Sequence, residues 1–319
     1  MISVEHLTKC YGDFTAVNDL SFEIGEGHVY GFLGPNGAGK STTMNIMTGC
    51  LSATEGHVKI DGYDIFEEPE KAKKLIGYLP ELPPLYMTET PEEYLRFVGE
   101  AKGLRGGELK QQIEDVIRQT KLEDVRNRRI SALSKGYKQR VGIAQALLGN
   151  PRVIILDEPT VGLDPIQIIE IRALIKELGK NHTVIFSSHI LSEVQTICDQ
   201  ILIIARGKLL AFGTPENLEQ QLLESNEITI TAEAGEEEMR EILAGVNRIT
   251  GIRMEKKENG LLEAHLQTDH KNIYEVSGAV FSAFAARGKV LLEMAVKKAN
   301  LEDIFIELTE SKEEKEEAE

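Results

Sequence analysis

The chain has 319 residues, room for about two domains and a sizeable core. With 41% hydrophobic and 28% charged residues its composition is that of a soluble globular protein, and a net charge of −16 argues against a general nucleic-acid-binding surface, which needs clustered Lys and Arg. No run approaches the roughly 18–20 apolar residues that span a bilayer, and the start Met1-Ile2-Ser3-Val4-Glu5 lacks the basic-then-apolar order of a secretory signal.

Residues 2–33 alternate apolar and polar positions around turn signals at Tyr11-Gly12-Asp13 and Gly25-Glu26-Gly27, which predicts several strands. Tyr11, just before a turn, reads either as a core aromatic flanking that turn or as a ligand contact. The last apolar run, Val29 to Leu33, leads into Gly34-Pro35-Asn36-Gly37-Ala38-Gly39-Lys40-Ser41, which fits G-x-x-x-x-G-K-S/T, and helix-compatible sequence follows to Met47. This strand–loop–helix setting is the context the motif requires. Glycines let the backbone approach a phosphate, and the N–H groups of the loop and helix start attract the anion. Lys40 can reach β- and γ-phosphates, and the Ser41 hydroxyl can ligate Mg²⁺. The bland alternative is a glycine turn.

Cys10, Cys50 and Cys198 are far apart with no C-x-x-C, which predicts reduced thiols packed as small apolar residues. Gly49 ends the loop helix; His57 to Gly62 reads as a strand and turn, and Leu75 to Pro80 as a strand stopped by its proline. Helical spacing then takes over at 92–102 and at 108–121, where Leu109, Ile113, Val116 and Ile117 recur, so a helical subdomain of about 83–150 is expected. Ser134 is placed to cap a further helix whose Tyr137, Val141, Ala144 and Leu148 define one buried face.

Val153-Ile154-Ile155-Leu156 is the continuous apolar run of a parallel strand buried on both faces, and it ends at Asp157-Glu158-Pro159. A carboxylate at that place supports Mg²⁺ in phosphate-loop enzymes, and Glu158 beyond it can take a proton from an attacking water. Two solvated acids are the alternative. Gly162-Leu163-Asp164-Pro165 turns into a helix with Ile168, Ile171, Ile175 and Leu178 on one side, and Thr183 to Phe186 is another buried strand, ending at Ser187-Ser188-His189. Strands alternating with helices give an α/β core with a mainly parallel sheet. After 218–225 the order becomes strand, helix, two strands, helix, strand, that of a ferredoxin-like α+β domain over 226–309, with Leu301, Ile304, Phe305 and Leu308 striping a final helix. This domain has no catalytic constellation. The Glu- and Lys-rich 310–319 reads as an acidic disordered tail.

The phosphate loop, Leu133-Ser134-Lys135-Gly136-Tyr137, Ile154-Ile155-Leu156-Asp157-Glu158-Pro159-Thr160, Gly162-Leu163-Asp164 and His189 stand in the order and at the intervals of one ATP-binding cassette. Over about residues 1–220 the chain resembles the ATP-binding cassette (ABC) family. That resemblance implies a P-loop NTPase fold with a mainly parallel core sheet, an antiparallel β subdomain and a helical subdomain, within a nucleotide-binding domain over 1–222. It implies ATP and Mg²⁺ as cofactors: Tyr11 stacked on adenine, residues 36–41 and Thr42 on the phosphates, Ser41 and Asp157 at the metal, and Glu158 and His189 at the hydrolytic water and γ-phosphate. Ser134 and Gly136 would hold ATP bound by a second copy, Asp164 helping to join the halves of a head-to-tail homodimer.

Two positions depart from the family pattern. The signature, commonly Leu-Ser-Gly-Gly-Gln, carries Lys135 and Tyr137 here, while Ser134 and Gly136 remain. The glutamine expected at the start of the helical insertion is Glu81. An ionised carboxylate only accepts hydrogen bonds, so Glu81 either approaches Mg²⁺ or its water, or is an exposed loop acid. With the C-terminal domain, these variants resemble ATPase subunits of bacterial ABC-2-type exporters. That implies a separate membrane permease docked on the helical insertion, and a place at the cytoplasmic face of the membrane.

Overall fold

The computed structural model describes residues 1–221, 226–257, 261–268, 270 and 272–297. They fall in two compact units, Met1–Pro215 and Glu216–Glu319.

In the first unit β1 (Ile2–Tyr11) and β2 (Phe14–Ile24) form an antiparallel hairpin, closed at Tyr11↔Phe14 by a turn in which Gly12 takes φ +59°. After β3 (Val29–Leu33) and α1 (Lys40–Met47), β4 (Glu55–Ile60) and β5 (Tyr63–Asp64) join that hairpin in a sheet of order β2-β1-β4-β5. The sheet alternates as its sequence does, with Ile2, Val4, Val17, Leu20, Val58 and Ile60 inward.

α2 (Pro69–Lys74) and β6 (Ile76–Leu79) precede the helical insertion α3 (Pro91–Ala101), α4 (Gly106–Gln119) and α5 (Lys135–Leu147). The chain then alternates through β7 (Val153–Leu156), α6 (Pro165–Leu178), β8 (Thr183–Ser188), α7 (Leu191–Ile197), β9 (Gln200–Ala205) and β10 (Lys208–Gly213). The second sheet has the order β10-β9-β3-β8-β7-β6; only β9 and β10 pair antiparallel. Every residue of β3, β7 and β8 is buried, as the apolar runs of β3 and β7 require; in β8 the polar Thr183, Ser187 and Ser188 are buried with the apolar 184–186. One hydrophobic core runs from the antiparallel sheet through Met44 and Met47 of α1 to Phe32, Ile155 and Ile185, and Phe22 meets Phe32 edge-on with ring centroids 5.4 Å apart.

The insertion is fixed at its ends. Thr90 and Glu93 form a reciprocal capping box at the start of α3, followed by a proline at the first turn. Arg126 bridges Glu92 and Glu114, each 2.8 Å away, and so ties the chain leaving α4 back to α3. Helix α5 differs from the single buried face expected of it. It ends at Leu147 with Leu148 as its cap; Tyr137 is only half-buried, and Gln139, Arg140, Ile143, Ala146 and Leu147 are buried beside Val141 and Ala144. The reason is position: α5 packs on β6 while α3 and α4 cover its other side. A β-carbon at Gly142 would come within 2.5 Å of Leu79, so glycine sets how closely α5 approaches β6. The Lys102 ammonium donates to the carbonyls of Gln145 (3.2 Å) and Leu148 (2.6 Å), satisfying the helix's C-terminal end. In α6 only Ile171, Ile175 and Leu178 are buried; Ile168 is half-buried. Of the thiols, Cys198 is buried against Gly31 as expected, but Cys10 is half-buried and Cys50 exposed.

After α8 (Pro215–Gln221), the second unit contains β11 (Asn226–Ala232), α9 (Glu236–Ala244), β12 (Ile249–Lys256), β13 (Leu262–Thr268), α10 (Ile273–Ala286) and β14 (Leu291–Lys297). Its sheet, β12-β13-β11-β14, is antiparallel throughout, the ferredoxin-like order. Ile228, Ile230 and Leu266 of the sheet pack with Met239 of α9 and with Val280 and Phe284 of α10 in a core separate from that of the first unit. The final strand begins at Leu291, after Gly288 at φ +64° has ended the helix. The expected helix at 300–308 and tail at 310–319 lie outside the described residues.

Because each unit has its own core, removing residues 226–319 should leave a chain that still unfolds in one cooperative thermal transition and binds ATP. A truncated chain that folds yet has lost ATP binding would contradict this division.

Candidate nucleotide site

The C-terminal ends of β3, β7 and β8 lie side by side, Leu33 beside Ser188 and Leu156 beside Phe186, so the three loops that leave them converge. Open parallel sheets bind ligands at this edge. The loop from β3 turns on Gly37 (φ +81°) and Gly39 (φ +100°). A β-carbon on Gly39 would stand 2.6 Å from the Ala16 carbonyl and one on Gly34 2.2 Å from that of Ile204, so only glycine lets the loop wrap so tightly before α1. The loop borders a cavity of about 450 Å³ that is also lined by Tyr11, Phe14, Thr42, Glu81, Glu158 and His189.

Lys40 is buried at the first turn of α1, its ammonium donating to the carbonyls of Gly34 (2.8 Å) and Pro35 (3.2 Å) and standing 3.4 Å from Glu158 Oε1. The other oxygen of Glu158 lies 3.1 Å from His189 Nδ1. Ser41 Oγ donates to Asp157 Oδ1 across 3.2 Å. Lys40, Glu158 and His189 therefore form one polar chain and Ser41 and Asp157 a second contact beside it, and Ser187 joins the two. Asp157 and Glu158 are buried, which removes the reading of two solvated acids. Tyr11 is 49% exposed in the cavity and so is no core aromatic; Lys9 Nζ sits 5.3 Å from its ring centroid. Glu81 is exposed at the cavity rim.

Ser134, Gly136 and Asp164 do not line this cavity. Ser134 accepts from the Tyr137 N–H (3.3 Å) and Asp164 from that of Gln167 (2.9 Å), so both cap helices within this chain. The two turns meet through Gln167, whose side chain lies where a β-carbon on Gly136 would clash at 2.5 Å.

Sequence reasoning passed over two contributors. Ser187, fully buried at the end of β8, donates to Asp157 Oδ1 (2.6 Å) and accepts from the Glu158 N–H (2.8 Å). The signal was its place in β8, one residue short of the Ser188-His189 end of the strand. Tyr78 of β6 donates to Asn45 Oδ1 of α1 at 3.1 Å, and burial, with the Asp157 carboxylate second, pushes its phenol well above its ordinary pKa, so it remains a donor.

Residues 17–161 match the family described as ABC transporter. The chain is 34% identical over 310 residues to the linearmycin resistance ATP-binding protein LnrL of Bacillus subtilis, covering 97% of this chain and 98% of that protein. The chain belongs to the ABC transporter family. It is similar along nearly its whole length to the bacitracin transport ATP-binding protein BcrA of Bacillus licheniformis, at 32% identity over 97% of both chains. Among solved structures it resembles a dimeric ATP-binding cassette in a post-hydrolysis state bound to ADP and Pi, with a TM-score of 0.61, 28% identity, and coverage of 67% of this chain and 98% of that one. As a family member it is an ATP-binding subunit of a transporter, and it hydrolyses ATP.

Ser187→Ala should lower stability by about 1–3 kcal/mol, because it leaves the buried Glu158 N–H without an acceptor, and should lower kcat more than it raises KM. Denaturant titration and steady-state ATPase assays read both; an unchanged kcat in a folded variant would show that Ser187 does not set the geometry of the two acids.

Proposed function

We propose that the chain hydrolyses ATP as a head-to-tail homodimer and drives export through a separate membrane permease. The observation that carries this reading is the division of the motifs. Lys40, Ser41, Asp157, Glu158 and His189 gather at one sheet edge, joined through Ser187, while Ser134, Gly136 and Asp164 lie outside the cavity. A second copy brings its Ser134 and Gly136 to the open side, so ATP closes the interface and hydrolysis releases it. The dimeric ADP- and Pi-bound relative supports such an arrangement.

Within each site Tyr11 stacks on adenine, and the backbone of residues 34–41 with Lys40 and Thr42 holds the phosphates. The donor set suits Mg²⁺: a serine hydroxyl and a carboxylate oxygen stand 3.2 Å apart, both hard oxygen ligands. The ion would take its remaining ligands from phosphates and water. Ser41 and Asp157 would hold that ion, which neutralises charge on the phosphates when bound. Glu158 accepts a proton from the water that attacks the γ-phosphorus, the bond to ADP breaks, and phosphate leaves. His189, in contact with Glu158, holds the γ-phosphate geometry. Glu81, exposed at the rim, would hold the ion or its water, where a neutral amide is the usual group.

The domain over 1–222 carries this chemistry, and the one over 226–309 is accessory, with a packing or dimerisation role. The permease docks on the helical insertion, where Leu82 is 83% exposed and Tyr86, Met87 and Phe97 form an open apolar cluster with Tyr86 and Phe97 rings 5.1 Å apart. No helix of the described residues is long and apolar enough to cross a membrane. In this reading the permease supplies the pore, and the subunit works at the cytoplasmic face of the membrane. The net charge of −16 opposes a nucleic-acid partner.

Glu158→Gln removes the proton acceptor and keeps the side chain's shape. It should bind ATP, lose about a hundredfold or more in kcat and accumulate as a dimer at saturating ATP in light scattering. A variant that stays monomeric under those conditions would count against the sandwich.

A further inference from the structure

Among the described residues, the only buried side-chain atoms without a hydrogen-bond partner are Arg172 Nε and Glu193 Oε1. They belong to one contact: Glu193, 1% exposed on α7, faces Arg172 of α6 with Nη2 and Oε1 3.1 Å apart. The second oxygen of Glu193 accepts from Thr160 Oγ1 (2.7 Å) and Ser188 Oγ (2.9 Å). A carboxylate so fully removed from water is costly, and half of its compensation is an ion pair without hydrogen-bond geometry.

What it touches gives the reason to keep it. Thr160 lies two residues beyond Glu158, and Ser188 immediately precedes His189. Arg172 is on the helix that Asp164 caps. One carboxylate thus fastens the loop that carries the acid, the loop that carries the histidine, and the helix that begins at the predicted dimer contact. Glu158 itself holds φ +46°, a left-handed conformation that a non-glycine residue keeps only when its surroundings impose it. Thr160 anchors the chain on one side of that strained residue.

We infer that Glu193 is a positioning residue of hydrolysis: through Thr160 and Ser188 it sets the Glu158–His189 contact, and through Arg172 it links that contact to α6. The inference rests on the roles proposed above for Glu158 and His189. Glu193 itself does not line the cavity, so it acts through these neighbours.

Glu193→Gln keeps the shape and can still accept from Thr160 and Ser188, but loses the charge that holds Arg172. In the full chain it should leave the Kd of a fluorescent ATP analogue and the KM within roughly twofold, and lower kcat by about tenfold or more, as misplacement of catalytic groups does. Arg172→Met should lower kcat in the same way, and combining it with Glu193→Gln should cost less than the two losses multiplied, since the pair is then removed as a unit. If Glu193→Gln does not fold, Arg172→Met alone reads the link. A lowered melting temperature with kcat unchanged in the folded protein, or additive losses in the double variant, would overturn the inference. Glu158→Gln, assayed alongside, separates the cases: if it keeps full kcat, the hydrolytic reading fails whatever Glu193 does.

Discussion

Glu158 occupies a backbone conformation that its side chain disfavours, and the organisation of the site follows from what holds it there. Its N–H is taken by the buried hydroxyl of Ser187. Its two carboxylate oxygens face Lys40 and His189. A strained residue persists only where neighbours over-determine it. These come from the end of β8 and from the start of α1 after β3, which reach Glu158 at the end of β7 because β3, β8 and β7 are neighbours in the sheet. The order of the parallel strands, β3-β8-β7, is therefore the first cause of the chemistry.

Charge explains the next layer. A buried ammonium and a buried carboxylate are each costly alone, and at 3.4 Å each compensates the other. With His189 on the far side of the acid and two loop carbonyls on the ammonium, the positive and negative groups form a chain rather than an isolated pair. Asp157 sits beside this chain, joined to Ser41 and Ser187 through the same oxygen. Such a site is sensitive to any group that changes the balance at its open side. In the proposed dimer that group is the nucleotide held from the partner's Ser134 and Gly136.

Much of this was legible in the residues. The phosphate loop announces itself by glycines needed for positive φ and close approach, and Gly37 and Gly39 meet that need. The run from Val153 to Leu156 announces a strand buried on both faces. The βαββαβ order of the second unit follows from alternation at Ile228 and Ile230 and from helical spacing at Val276, Val280 and Phe284, all buried in its core. What escaped was tertiary. Helix α5 is buried nearly all round because β6 and two helices enclose it, and no periodicity within its own sequence reports those neighbours. Ser187 and Glu193 look in the sequence like any polar residue at a strand end or on a short helix, and their importance lies in partners about 30 positions away. Cys50 is exposed although its type favours burial, because it follows the turn at Gly49.

In the proposed dimer each hydrolytic site is built from two chains, and mixing two inactive variants tests this most directly. A Lys40→Ala chain still offers its Ser134, and a Ser134→Arg chain still offers its Lys40, so a dimer of one with the other contains one intact composite site. ATPase activity measured on the equimolar mixture should rise well above that of either variant alone. A mixture no more active than the average of its two components would return the site to a single chain.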